Sequence, residues 1–275
     1  MYITNNLNVA LIAQKYGVER IWIDLETLGK EERQGGKDTV KSHHSISDIS
    51  TIKPYLTTSE MLVRVNPWND SSKYEIDKVV ESGADIIMLP YWKTLDEVKL
   101  FIDAVNGRCK TTLLLETKEA VKIVDDVLDY GEFDEIHIGL NDLHLSYGLD
   151  FMFELLTDGT VEMLCNKFAE KNLPYGFGGI ARIGDGAVPA EKIILEHYRL
   201  GSTRAILSRS FCDYSKIESI YRVEEVFAEN MKKLREYELF AASAMPDVYR
   251  KNKEELALAV SRVAGIMRAR KMENN

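Results

Sequence analysis

Glu116 directly follows the apolar run at 113–115, and Asp142 lies just beyond a second apolar stretch, 136–138. Carboxylates at the ends of two buried strands repel one another unless a proton or a cation sits between them. Oxygen ligands that leave room for water and substrate suit Mg²⁺ or Mn²⁺, whereas a structural Zn²⁺ would ask for Cys or His in a closed tetrahedron. This reading makes Glu116 and Asp142 the ligands of a Mg²⁺ or Mn²⁺ cofactor. Acids just past a strand are also common caps of the next helix, and the pattern alone leaves both readings open.

Other side chains could join such a site. Arg64, in MLVRVNPWND, is a charge inside a strand-like run and needs a partner. An ion pair to Glu26 or Glu116 is one reading of that need. His43 and His44 sit in KSHHSISDISTIK, and a histidine titrating near its ordinary pKa of about 6.5 could move a substrate proton. Asp24 and Glu26 end an apolar run and serve either to orient a water, to pair with Arg64, or to cap a helix. GFGGIARIGDG, residues 176–186, is rich in glycine as a backbone approaching an anion would be. Gly178 and Gly179 are therefore expected at the substrate, with Arg182 nearby and a tight turn as the alternative. His137 alternates with Ile136 and Ile138 and reads as a core histidine; His144 lies close to Asp142. Trp68 and Trp92 follow strands, where they wall a pocket or pack beneath loops.

The elements that must position these groups are short and alternate. Strand-like runs fall at 2–4, 20–24, 61–66, 85–89, 111–116, 135–138, 175–178 and 204–207, each mostly apolar, as parallel strands buried on both faces should be. Helical spacing recurs between them. Residues 94–106 begin with a capping Thr and an acid three positions on, and 118–128 repeat the pattern. Eight β/α units predict an α/β fold, a TIM (β/α)₈ barrel with additional C-terminal helices, and an open doubly wound sheet is the alternative. In a barrel, both carboxylates would face the catalytic carboxyl end of the strands. The expected division is a barrel over 1–222 and a helical extension over 223–275, packed on the barrel or on a neighbouring subunit. Residues 27–43, polar and carrying Gly35 and Gly36, form an excursion after the second strand, either a lid or a solvated loop.

LLLETKEAV followed by IGLNDLHLSYG resembles the paired signature of the HpcH/HpaI aldolase and citrate lyase β-subunit family, in the phosphoenolpyruvate/pyruvate barrel superfamily. The resemblance runs over roughly 1–215 in strand order and is densest over 85–150, where MLPYWKTLDEVKLFI is also similar. It implies that Glu116 and Asp142 bind the divalent metal, which chelates pyruvate or oxaloacetate, and that Arg64 binds substrate. It also implies substrate contacts by the backbone of Gly139, Leu140 and Asn141. By the same resemblance His44 is the proton-moving histidine and Asp48 its following acid, although here the excursion separates them from the second strand. The implied activity is a carbon–carbon lyase, aldolase-type, that makes or cleaves a 2-oxo acid through a pyruvate enolate. The segment IDLETLGKEERQGGK resembles the citrate-lyase branch and implies, as an alternative, a lyase of malyl-, citryl- or citramalyl-CoA, while the excursion and the long helical tail leave open an idle metal-binding barrel used for assembly or sensing.

Composition narrows the partners. The 275 residues are 45% hydrophobic, enough for one large core, and the formal net charge of −9 with a pI near 5.2 disfavours nucleic acid and anionic membranes. No apolar run reaches the length of a membrane span. Three scattered cysteines, without metal spacing, fit a reducing cytoplasm. The expected partners are a small 2-oxo acid and further copies of the chain.

Overall fold

The computed structural model describes residues 1–29 and 44–273. Eight parallel strands follow one another in chain order and close into a barrel: β1 (Tyr2–Ile3), β2 (Arg20–Asp24), β3 (Glu60–Arg64), β4 (Ile86–Leu89), β5 (Lys110–Leu115), β6 (Glu135–Ile138), β7 (Tyr175–Ile180) and β8 (Arg204–Leu207). The described α-helices are α1 (Leu7–Lys15), α2 (Ile46–Ile52), α3 (Ser72–Glu81), α4 (Leu95–Val105), α5 (Lys118–Lys122), α6 (Val124–Tyr130), α7 (Leu140–Tyr147), α8 (Glu154–Thr157), α9 (Thr160–Glu170), α10 (Ala190–Arg199), α11 (Ile220–Ala242) and α12 (Pro246–Glu273). This is the expected (β/α)₈ barrel with C-terminal helices.

Strands form where apolar and β-branched residues run together. RIWID of β2 and IIML of β4 are buried at every position, as strands covered on both faces must be. Helix α4 begins as its sequence predicts. Thr94 accepts from the Glu97 N–H at 3.2 Å, Glu97 accepts from the Thr94 N–H at 2.9 Å, and Asn106 ends the helix in the left-handed conformation. The single helix expected over 118–128 is instead two, interrupted at Ile123, where ψ is 12°. Three β-branched residues, Val121, Ile123 and Val124, crowd that turn and weaken its helical preference. The excursion at 27–43 lies outside the described residues from Lys30 onward, as does His43.

Internal contacts divide the chain into two compact units, Met1–Leu115 with Glu119–Glu135, and Glu116–Lys118 with Ile136–Asn275. In the first unit, the opening residues of four strands carry charge and pair among themselves. Arg20 donates to Glu135 at 2.5 and 3.0 Å and to Glu60 at 3.2 Å; Lys110 donates to Glu60 at 2.6 Å and Thr112 to Glu135 at 2.7 Å. Register places Asp24 beside Arg64, the last residues of β2 and β3.

The second unit is shaped by close approaches along β7. The strand runs to Ile180, so Gly178 and Gly179 lie within it rather than in a loop, and the β7–β8 register shifts between Gly176 and Gly179. Gly176 lies so close to β8 that a Cβ would come within 2.3 Å of the Arg204 carbonyl oxygen. Gly178 has φ of +49°, and a Cβ there would meet Leu140 Cδ1 at 2.6 Å. The glycine run thus serves a bulge and tight packing. In the same unit α12 packs on α8 and α10, and α11 on α10. Among the described residues, no helix is long and apolar enough to cross a membrane.

Candidate active site

In the first unit, Arg64 closes β3 with its side chain only 13% exposed. Its Nε donates to Asp24 Oδ1 at 2.8 Å and its Nη2 to Asp24 Oδ2 at 2.9 Å, the two-pronged grip that a planar guanidinium gives a carboxylate. Nη1 lies 3.2 Å from Glu26 Oε2. Arg64 therefore pairs with Asp24 first and with Glu26 second. Asp24 and Glu26 are both buried, and together they exceed the arginine by one formal negative charge. Beneath the guanidinium lies Trp22, 5.3 Å from Arg64 Cζ to the ring centroid. Strand alternation puts Trp22 on the face of Asp24. The indole is 1% exposed, and its N–H has no hydrogen-bond partner among the described residues.

His44 joins this group through its ring. Its Nδ1 accepts the backbone N–H of Asp24 at 3.0 Å, which places the proton of the neutral imidazole on Nε2. Asp48 turns to helix capping: it accepts from the Ser45 N–H at 2.7 Å and from Asn5 Nδ2 at 3.2 Å. Asn66 is a residue the sequence reading passed over. Its Oδ1 accepts the amides of Thr27 and Leu28 at 2.9 and 3.0 Å, tying the segment after β2 to the end of β3, while Glu75 holds its Nδ2 at 2.7 Å. Burial raises the Glu75 carboxyl pKa, against the lowering effect of Asn66. An Asn directly before Pro67 was the available signal of a turn anchor.

In the second unit, Glu116 stands one residue past β5 and is 2% exposed. Asp142 lies in the first turn of α7, three residues beyond the Gly139 N-cap, and does not itself cap the helix. The Lys118 N–H donates to Ser146 Oγ at 2.9 Å. Ser146 is one helical turn beyond Asp142, on the same face, so this bond draws the Glu116–Lys118 segment onto the side of α7 that carries Asp142. Ser146 was also missed, although its spacing from Asp142 was visible.

The donor set can be tested against a cation. Among the described residues no three His, Cys, Asp or Glu side chains gather into a ready-made metal site. Two carboxylates without a softer ligand suit a hard divalent ion that keeps water and substrate oxygens in its remaining positions, so Glu116 and Asp142 fit Mg²⁺ or Mn²⁺.

The remaining candidates have structural partners. His137 is buried and its Nε2 lies 3.3 Å from the Gly178 carbonyl; His144 Nδ1 lies 3.2 Å from the Leu140 carbonyl. Arg182 is half exposed and pairs with Asp185 at 3.0 Å within its own loop. Trp92 is 1% exposed, whereas Trp68 is half-buried.

The family model for HpcH/HpaI aldolase/citrate lyase matches residues 3–152, more than half of the chain. The chain belongs to this family. Membership supports a lyase-type enzyme, and the matched span contains Arg64, Glu116 and Asp142. No curated protein matches the sequence. Among solved structures, the chain resembles an HpcH/HpaI aldolase from Desulfitobacterium hafniense DCB-2 at 12% identity and a TM-score of 0.59, over 86% of this chain and 92% of that one. An HpcH/HpaI aldolase/citrate lyase family protein from Burkholderia cenocepacia J2315 is similar at 14% identity and a TM-score of 0.57, over 81% and 94%. Macrophomate synthase follows at 16% identity and a TM-score of 0.52, over 76% of each chain. At these identities the likeness concerns the fold.

Proposed function

We propose that the protein is a divalent-metal-dependent carbon–carbon lyase of the aldolase type, which forms or cleaves a 2-oxo acid through a pyruvate enolate. The observation that supports this most directly is the family match over residues 3–152, a span that holds both carboxylates in the contexts described. Glu116 and Asp142 hold Mg²⁺ or Mn²⁺. When bound, the metal supplies a Lewis acid to the substrate keto oxygen.

Arg64 orients the substrate carboxylate. Asp24 grips the guanidinium in two places, so its direction is set before substrate arrives and little ordering remains to be done. Asp24 and Glu26 also offset its charge, which makes its contribution a directed hydrogen bond more than a bulk attraction. His44, with its proton on Nε2, acts as a donor to oxygen or carbon gaining charge. This role differs from that of a base, for which its Nδ1 lone pair is already engaged by the Asp24 amide. Gly139, Leu140 and Asn141 offer amides at the start of α7 to substrate oxygens, and Gly178, by admitting Leu140, keeps that turn in place.

The test is incubation with pyruvate in D₂O, with Mg²⁺ or Mn²⁺ and separately with EDTA, while the methyl proton signal is followed by NMR. Metal-dependent exchange that disappears in Glu116→Gln and in Asp142→Asn is expected. Exchange indifferent to EDTA, or full activity with undiminished Mn²⁺ affinity in either variant, refutes the assignment.

A further inference from the structure

Helix α7 has a second attachment at its far end. It closes on Gly148, at φ of +72°, with the Gly148 N–H donating to the Leu145 carbonyl and the Leu149 N–H to the His144 carbonyl. This is the paired ending that fixes the exit of a helix. Two residues beyond the glycine stands Asp150. Its backbone N–H donates to Glu154 Oε2 at 2.9 Å, and its carboxylate is held from both sides by α12: Arg268 Nε at 2.7 Å and Lys271 Nζ at 2.6 Å. The Asp150 side chain is 14% exposed, whereas those of Arg268 and Lys271 are more than half exposed. The two cations hold its carboxyl below the ordinary carboxylate pKa.

Earlier in α12, Lys253 pairs with Glu162 at 2.7 Å, Glu255 with Lys192 at 2.5 Å, and the buried Asn252 donates to the Lys192 carbonyl at 3.0 Å. The helix is thus seated on α9 and α10 near its start and reaches Asp150 near its end. Helix α7 therefore carries Asp142 in its first turn and, in its last, Ser146 holding the Lys118 amide beside Glu116, and its paired ending at Gly148 and Leu149 joins it to Asp150, held by α12. The eight helical residues form a stiff rod, and the two bonds of the ending tie Gly148 and Leu149 to its last turn, so a displacement at Asp150 is passed through that ending to the Asp142 end.

We infer that the last turns of α12 are a positioning device for the carboxylate pair, with Arg268 and Lys271 as positioning residues acting through Asp150 and α7. The inference rests on the reading of Glu116 and Asp142 as metal ligands, but one of its readouts does not. Releasing Asp150 loosens the bond between the Lys118 amide and Ser146 and spreads the geometry of the two carboxylates. Ion pairs with exposed partners are modest and screened by salt. The expected effect is therefore about a three- to tenfold weakening of Mn²⁺ binding in the double variant Arg268→Ala with Lys271→Ala, with the fold retained.

The 275-residue chain would be studied in two arms. In the first, Mn²⁺ affinity is measured by electron paramagnetic resonance at low salt and at 1 M salt, for the wild type, the double alanine variant, and the charge-conserving Arg268→Lys with Lys271→Arg. High salt should weaken the wild type toward the alanine variant, leave that variant little changed apart from the screening common to all, and the charge-conserving pair should behave as the wild type. In the second arm, amide exchange at Lys118 is followed in metal-free protein and should quicken in the alanine variant. Quickened Lys118 exchange in a protein that binds no Mn²⁺ in any form would uphold the mechanical coupling and remove the metal assignment. Unchanged Lys118 exchange together with unchanged Mn²⁺ affinity in the alanine variant would overturn the inference while leaving the metal assignment intact.

Discussion

His197 should make this protein sensitive to mild acid. The ring lies in α10, 6% exposed, stacked on Phe177 at 3.8 Å with the planes 5° apart. Nδ1 is 2.8 Å from Ser202 Oγ, and Nε2 has no hydrogen-bond partner among the described residues. Burial above all, and then the neighbouring His137, lower its pKa from 6.5 to about 3. The native protein therefore keeps this ring neutral where the unfolded chain takes up a proton. Stability from this group is complete above pH 6.5 and is lost as pH falls toward 3. Between pH 7 and pH 5 the loss is about 2 kcal/mol, because each unit of pH within that window is worth about 1.4 kcal/mol. Urea unfolding of the wild type and of His197→Phe at pH 7, 6 and 5 isolates the effect. Phenylalanine keeps the stacking area but cannot titrate, and other groups contribute equally to both proteins. The variant starts from its own offset and should lose about 2 kcal/mol less on going to pH 5. Equal losses in the two proteins, or an imidazole that titrates near 6.5 in the folded state, would refute the reasoning.

Two further outcomes follow from the packing and the charge network. Gly176→Ala must push β7 from β8 to relieve a 2.3 Å approach to the Arg204 carbonyl and should cost about 3 kcal/mol in thermal or urea unfolding, whereas Gly265→Ala, in α12 with nothing within 4 Å, should add about 0.5–1 kcal/mol. Glu135→Gln breaks the two-pronged contact with Arg20 and should lower stability by about 3 kcal/mol while leaving Mn²⁺ affinity unchanged, a separation that calorimetry and metal titration on the same samples can read.

The barrel was legible because its signals are local. RIWID, EIHI and RAIL are strands by composition alone, and the Thr94 and Glu97 pair marks a helix start within four residues. The charge network was not legible, since Arg20 and Glu135 are 115 positions apart and nothing in either neighbourhood names the other. Arg64 shows the intermediate case. Its need for an anion was plain from a charge in an apolar run, yet the choice of Asp24 depends on β2–β3 register, which pairs the last residues of the two strands. Glycines are ambiguous in a specific way. A bulge and close contacts with Leu140 and the β8 backbone ask for the same residue as an anion-binding loop, so GFGG could not tell them apart. His44 was visible as a candidate, but its role turns on which ring nitrogen meets the Asp24 amide, and that is settled only in three dimensions.

The first unit also separates charge that serves folding from charge that serves chemistry. At the first residues of β2, β3, β5 and β6, Arg20, Glu60, Lys110 and Glu135 form a chain of two cations and two anions that satisfy one another. Apolar residues of similar volume could fill such positions without loss of stability, and a balanced set offers nothing to a ligand. At the last residues of β2 and β3 the balance differs: two carboxylates hold one guanidinium, and the Asp24 amide holds an imidazole in one tautomer. Each contact there fixes the direction of a group that can give a proton or a hydrogen bond, the arrangement expected where reactive geometry must be set in advance. In barrels of this kind the amino ends of the strands carry stability and the carboxyl ends carry chemistry. The same division explains why Glu116 and Asp142, each just beyond the carboxyl end of its strand, are the acids to test first.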